Sequence, residues 1–178
     1  VAETASGLSP TTETKALTDA KAMTDALKLR GDVIDAVGKG TQKSDAAIAK
    51  LKAASSASGL PVDRDADFAL AAIDVGQRLL ASGKSATESE KFFTAAEASL
   101  EVALKNAPDD AAQDKATFLG KLSLIRGRYL NKAAQAKLDI EQAIALQPKD
   151  TNLQQLRAVL MSTHAEVFAA PASGKAKN

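Results

Sequence analysis

The chain has no cysteine and no tryptophan, one tyrosine and one histidine. Without cysteine there is no disulfide, no thiolate metal ligand and no thiol nucleophile. A single histidine, His164, cannot assemble an ordinary zinc or haem site without other strong ligands. Its only carboxylate neighbour on the same helix is Glu166, two residues away on another face. A general base needs an orienting partner and a nucleophile within reach. His164 therefore reads as a structural, half-buried or solvent-facing side chain. No serine lies in a nucleophile-elbow pattern. An enzyme is not expected.

Charge of one sign is also missing. The 178 residues carry 23 basic and 22 acidic side chains, a formal net charge of +1. A nucleic-acid binder needs a basic excess, because phosphate contacts dominate its affinity. Here the signs alternate, and the only basic cluster is Lys175-Ala176-Lys177. Nucleic acid is not an expected partner. No apolar run reaches the roughly 18–20 residues that span a bilayer, so no membrane span is expected. The stretch from Val1 to Gly7 resembles the mature end of an envelope protein. A periplasmic or secreted location is the expectation, with a cytoplasmic one as the alternative.

Two further motifs fail on their spacing. Asp63-Arg64-Asp65-Ala66-Asp67 alternates acids as a calcium loop does, with Asp74 twelfth. The sixth position must turn sharply and is normally glycine; here it is Phe68. These acids read instead as helix N-terminal charges. Gly38-Lys39-Gly40-Thr41 holds phosphate-loop residue types in the wrong order, with no strand before it. No cofactor and no metal site are read from the chain.

What is abundant is alanine, about a fifth of the residues. Alanine has the best helix propensity, and its small side chain lets helices approach closely. Scarce aromatic and β-branched residues speak against a sheet. The fold class read from this is all-α, with about seven helices in one domain over 10–168. Residues 1–9 and 170–178 read as tails, the latter disordered.

The periodicity places helices at about 10–38, 44–58, 64–82, 88–107, 110–130, 132–147 and 151–169. Ser9-Pro10 opens the first, Gly38 and Gly40 stop it, and Gly31 inside it marks a possible bend. Ser44 reads as the cap of the second, which Gly59-Leu60-Pro61 stops. Thr87-Glu88-Ser89-Glu90 reads as a capping box for the fourth. Asp110 and Asp150 read as caps after Pro108 and Pro148.

An internal repeat is the most informative feature. Ala96, Leu100, Ala103 and Pro108 recur as Ala136, Ile140, Ala143 and Pro148, an offset of 40 residues. This pattern resembles the second helix of a tetratricopeptide repeat. In that family a small residue packs where two helices cross, apolar and alanine positions follow at four and seven, and proline closes the unit at twelve. Val75-Gly76 with Leu79, and Leu124-Ile125-Arg126-Gly127, stand near the first-helix positions. The resemblance covers about residues 66–150. It implies antiparallel hairpins stacked as a right-handed superhelix, the alternative being a plain helical bundle. The seventh helix would be the polar cap of the array.

The resemblance also implies a non-enzymatic scaffold that holds a protein or peptide in a concave groove. By position, Lys121, Ile125, Arg128 and Tyr129 would line it in one unit and Ile73, Gln77 and Leu80 in the other. Arg and Tyr are favoured at binding hot spots. Lys121, Arg126 and Arg128 together would make a basic patch for an acidic peptide or a carboxylate terminus. The bland alternative is that Ile73, Leu80 and Ile125 are core and the cations a solvated face. A structural bundle working through self-assembly, as a homo-oligomer, is the second functional expectation.

Overall fold

A computed structural model describes residues 10–55, 61–83 and 86–169. They form eight helices and no strand: α1 (Pro10–Gly38), α2 (Ser44–Ser55), α3 (Pro61–Ala81), α4 (Ala86–Asn106), α5 (Ala112–Arg128), α6 (Ala133–Leu146), α7 (Thr151–Thr163) and α8 (Ala165–Ala169). The chain is all-α. The expected tails, 1–9 and 170–178, and the expected end of α2 fall outside the described residues.

Eight helices replace the expected seven because the last one breaks at His164, which closes α7 with its N–H on the Leu160 carbonyl. Pro61 opens α3 as its first residue, a place where its missing N–H costs nothing. Three expected caps are corrected. Thr87 lies inside the first turn of α4, which starts at Ala86. The Ser44 hydroxyl instead donates to Glu88 across to α4. Asp110 does not cap α5 either: Ala111 holds that position without a side-chain bond. Asp150 does cap α7, accepting from the N–H groups of Asn152 at 2.8 Å and Leu153 at 3.3 Å. Gly40 and Gly83, with φ of +71° and +70°, end α1 and α3 in the left-handed region that glycine enters freely.

The closest pairs are the hairpins α3–α4 and α5–α6, and each helix packs principally against those one or two places along the chain. The helical repeat positions point inward, while the closing prolines are exposed. Ala96, Leu100 and Ala103 on α4, and Ala136, Ile140 and Ala143 on α6, are exposed by 1 % or less. Pro108 and Pro148 each stand two residues past the end of their helix, at Asn106 and Leu146.

Two apolar clusters result. The larger joins α1 through α4 with Phe118, Leu122 and Ile125 of α5. The smaller joins Ala116 and Leu119 of α5 to α6 and α7. α5 is thus buried on two sides, one against each cluster. Burying a side chain such as Phe92 or Leu100 contributes roughly 1.5–3 kcal/mol.

Glycine fixes the closest approaches. A Cβ on Gly76 would stand 2.9 Å from the Phe93 ring. On α5, a Cβ on Gly120 would stand 2.8 Å from Leu153, and one on Gly127 would run into Leu160. Gly120 and Gly127 are two helical turns apart, and so are the leucines they receive. The pairs run in the same order, so α5 and α7 lie parallel, with α6 returning between them in sequence.

Candidate functional site

The notches on α5 draw α7 close at its buried side and leave a cleft at the outer one. This cleft, of about 280 Å³, has Leu124, Leu153 and Leu156 around Gly120 as its apolar part, and Thr117, Lys121, Asp150 and Asn152 as its polar part. Thr117, Lys121, Leu124 and Arg128 follow one another by four, three and four residues, one stripe along a helix. The stripe shows in the burial: Thr117 and Arg128 are exposed, and Lys121 and Leu124 half-buried. Lys121 supplies a long, donor-rich ammonium beside apolar carbon. The Asp150 carboxylate in the same cleft is engaged by the α7 N-terminus.

The structure separates the residues assigned to the groove by position. Lys121 lines the cleft. Arg128 lies farther down the same stripe, its guanidinium 5.8 Å from the Tyr129 ring centroid. Tyr129 is half-buried and stacks on Phe93, with centroids 4.1 Å apart and planes 8° apart. Its hydroxyl accepts from the Gln77 side chain at 3.3 Å. Gln77 and Tyr129 thus join α3 to the end of α5, away from Lys121. Ile73 and Ile125, expected in the groove, are core residues, 6 % and 0 % exposed. Leu80 is half-buried and packs on the larger cluster. The reason is plain for Ile125: it points from α5 into the same cluster as Phe118 and Leu122.

The expected basic patch is corrected in the same way. Arg126 stands two residues from Arg128, about 200° around the helix, and points to the opposite side. Its guanidinium is 2.8 Å from Glu97 and 2.9 Å from Asp139, and also reaches Glu101. Burial lowers the guanidinium's proton affinity, but its carboxylate partners outweigh that and hold it raised. It is unavailable to a ligand in the α5–α7 cleft. Among the described residues lining the cleft the cation is Lys121, with Arg128 farther down the same stripe.

Asn152 and Leu156 were not foreseen as lining residues. They sit four residues apart on α7, so one face carries both; the sequence offers no sign of which helix that face meets. His164 is half-buried, its Nε2 2.7 Å from the Gly127 carbonyl oxygen, so it ties the α7–α8 break to α5.

A second depression, of about 560 Å³, lies between α2 and α4 and includes Asp45, Ile48, Glu90, Lys91 and Ala98. Its Lys91 pairs with Glu88 at 3.4 Å and with Asp45 at 3.9 Å. Among the described residues no helix is long and apolar enough to cross a membrane. No family model, no curated protein and no solved structure matches the chain.

Proposed function

We propose that the chain is a non-enzymatic scaffold of tetratricopeptide type that holds a protein or peptide segment between α5 and α7. The observation that carries this is the cleft between two parallel helices, apolar at Leu124 and Leu156 and cationic at Lys121. Such a surface takes an apolar side chain and a neighbouring carboxylate at once. Packing between near neighbours along the chain supports an array of stacked hairpins over a closed bundle. The burial of Ala96, Ala103, Ala136 and Ala143 supports the repeat assignment. A periplasmic or secreted setting belongs to the same proposal, and cell fractionation with a tagged chain tests it.

The binding test is a selection of displayed peptides on the wild-type chain, followed by titration of the selected peptides. Lys121→Glu and Leu156→Arg are expected to weaken binding at least about tenfold, the effect of losing about 1.4 kcal/mol. Binding unchanged in both variants moves the site elsewhere.

One observation favours the second reading, self-assembly. Leu27 on α1 is 54 % exposed, and it belongs to the apolar series that continues to the half-buried Ile34 and the buried Val37. Sedimentation of the wild-type chain at high concentration decides this reading: a strict monomer rejects it.

A further inference from the structure

Arg126 joins helices that otherwise do not pack closely. The hairpins α3–α4 and α5–α6 meet mainly where α4 lies on α5, and α4 and α6 are not among the closely packed pairs. Arg126, on α5, reaches both. Nε donates to Glu97 Oε1 at 2.8 Å, Nη2 to Glu101, and Nη1 to Asp139 Oδ2 at 2.9 Å and Oδ1 at 3.1 Å. Lys132, just before α6, donates to the other Glu97 oxygen at 2.6 Å. The side chains of Arg126, Glu97 and Asp139 are exposed by 11 %, 8 % and 11 %; Glu101, at 55 %, and Lys132, at 44 %, open to solvent.

A buried ionic cluster is a poor source of stability, since well-packed apolar side chains of the same volume often do as well or better. Its distinguishing property is geometry. A planar guanidinium with fixed donor directions accepts few arrangements of three carboxylates. Three residues further along α5, about 4.5 Å along its axis, the two hairpins are joined a second time. There Tyr129 stacks on Phe93 and is held by Gln77. One attachment is ionic and directional. The other is a flat ring stack with one hydrogen bond, from Gln77, and has far fewer fixed donor directions.

We propose that Arg126 is the clasp of a hinge, fixing the angle at which the α5–α6 hairpin stands on the α3–α4 hairpin. With the clasp released, the hairpins are held by the apolar α4–α5 contact, with Phe118, Leu122 and Ile125 in the larger cluster, and by the Phe93–Tyr129 stack, and their angle is no longer fixed by directional bonds. This holds whether or not a peptide binds between α5 and α7, because neither Arg126 nor its partners line that cleft.

The test is a distance measurement between spin labels. The chain has no cysteine, so label sites can be introduced singly. Lys105→Cys on α4 and Gln142→Cys on α6, both exposed positions, report across the hairpins. Ala81→Cys and Thr94→Cys, also exposed, report within α3–α4. In the wild-type background both pairs should give one narrow distance distribution. Arg126→Met should broaden and displace the first and leave the second unchanged, with helix content retained. Arg126→Lys should do the same in lesser degree, because one ammonium cannot serve three carboxylates in a fixed arrangement. Where Arg126→Met does not fold, Arg126→Lys and the pair Glu97→Gln with Asp139→Asn decide on the same readout. An unchanged first distribution in a folded variant, or equal broadening of both, overturns the hinge.

Discussion

α4 and α6 carry the same small–large–small pattern 40 residues apart, yet they meet their partners by opposite means. α4 brings bulk to its hairpin: Phe93 fills the space over Gly76, and Phe92 and Phe93 are exposed by 0 % and 1 %. α6 brings smallness: Ala136 sits beside Gly127, where a Cβ would be 3.3 Å from it. The bulk in the second unit comes from the next helix, through Leu160. Close packing can be reached by a ring against a glycine or by a glycine against an alanine. The first lets α3 and α4 complete their own contact. The second leaves α5–α6 dependent on α7.

That difference sets the largest expected effect. Phe93→Ala removes a buried ring that touches Gly76 and Tyr129, at a cost of about 3–5 kcal/mol. Leu160→Ala removes less carbon from the smaller cluster and should cost about 2–4 kcal/mol. Denaturant unfolding of the two variants, with slopes compared, checks this. The location of the damage should differ as well. Phe93→Ala should speed amide exchange in α3 through α5. Leu160→Ala should speed it in α5 through α8 and spare α3. Equal losses with the same exchange pattern would mean that the two units behave alike.

The same two helices differ in how they hold charge. On α4, burial pushes the Glu97 carboxyl up, but hydrogen bonds and charge from Lys132 and Arg126 outweigh it and hold it below its ordinary value. On α6, burial pushes the Asp139 carboxyl up, and Arg126 does not fully offset it, so it stays above its ordinary value. The two therefore respond to pH with opposite sign. Glu97 contributes stability above its unfolded value and loses it as pH falls through the lowered folded value. Asp139 contributes protonation-linked stability below its unfolded value and loses it as pH rises through the raised folded value. Unfolding measured along a pH series should show a shallower acid-side loss in Glu97→Gln. In Asp139→Asn, the fall in stability on raising pH from the ordinary aspartate range should shrink. The same sign for both variants would contradict this assignment.

Much of this contrast was open to reading in the chain, and part was not. Helical periodicity and the small residues at 96, 103, 136 and 143 point to hairpins without further help. A repeat position says which helix a residue is on, while the neighbours decide which of its sides is covered. Ile125 stands at a groove position of the repeat, yet Phe118 and Leu122 on its own face point to core. Arg126 is near Arg128 in sequence, but residues two apart on a helix face nearly opposite ways. Its partners Glu97 and Asp139 lie 29 and 13 residues away, and no local pattern announces them. Ser44 reads as a cap from its type alone; its bond to Glu88 spans 44 residues.

The smallest expected effect tests how far α5–α6 depends on α7. Of the residues before α5, α6 and α7, Asp150 is the one whose side chain bonds to the helix N-terminus, at the joint where Pro148 ends one unit and α7 begins. Asp150→Ala leaves the N–H groups of Asn152 and Leu153 without this acceptor, and should cost about 1 kcal/mol, within a usual range of 0.5–2. Because Leu153 is the first leucine to enter a notch on α5, loosening that turn should be felt in α5 as well as in α7. Amide exchange in Asp150→Ala should therefore rise around Gly120 together with the first turn of α7, while α3 and α4 stay as they were. A rise confined to α7 would show that α5–α6 stands on its own, and that α7 is carried by the array without holding it together.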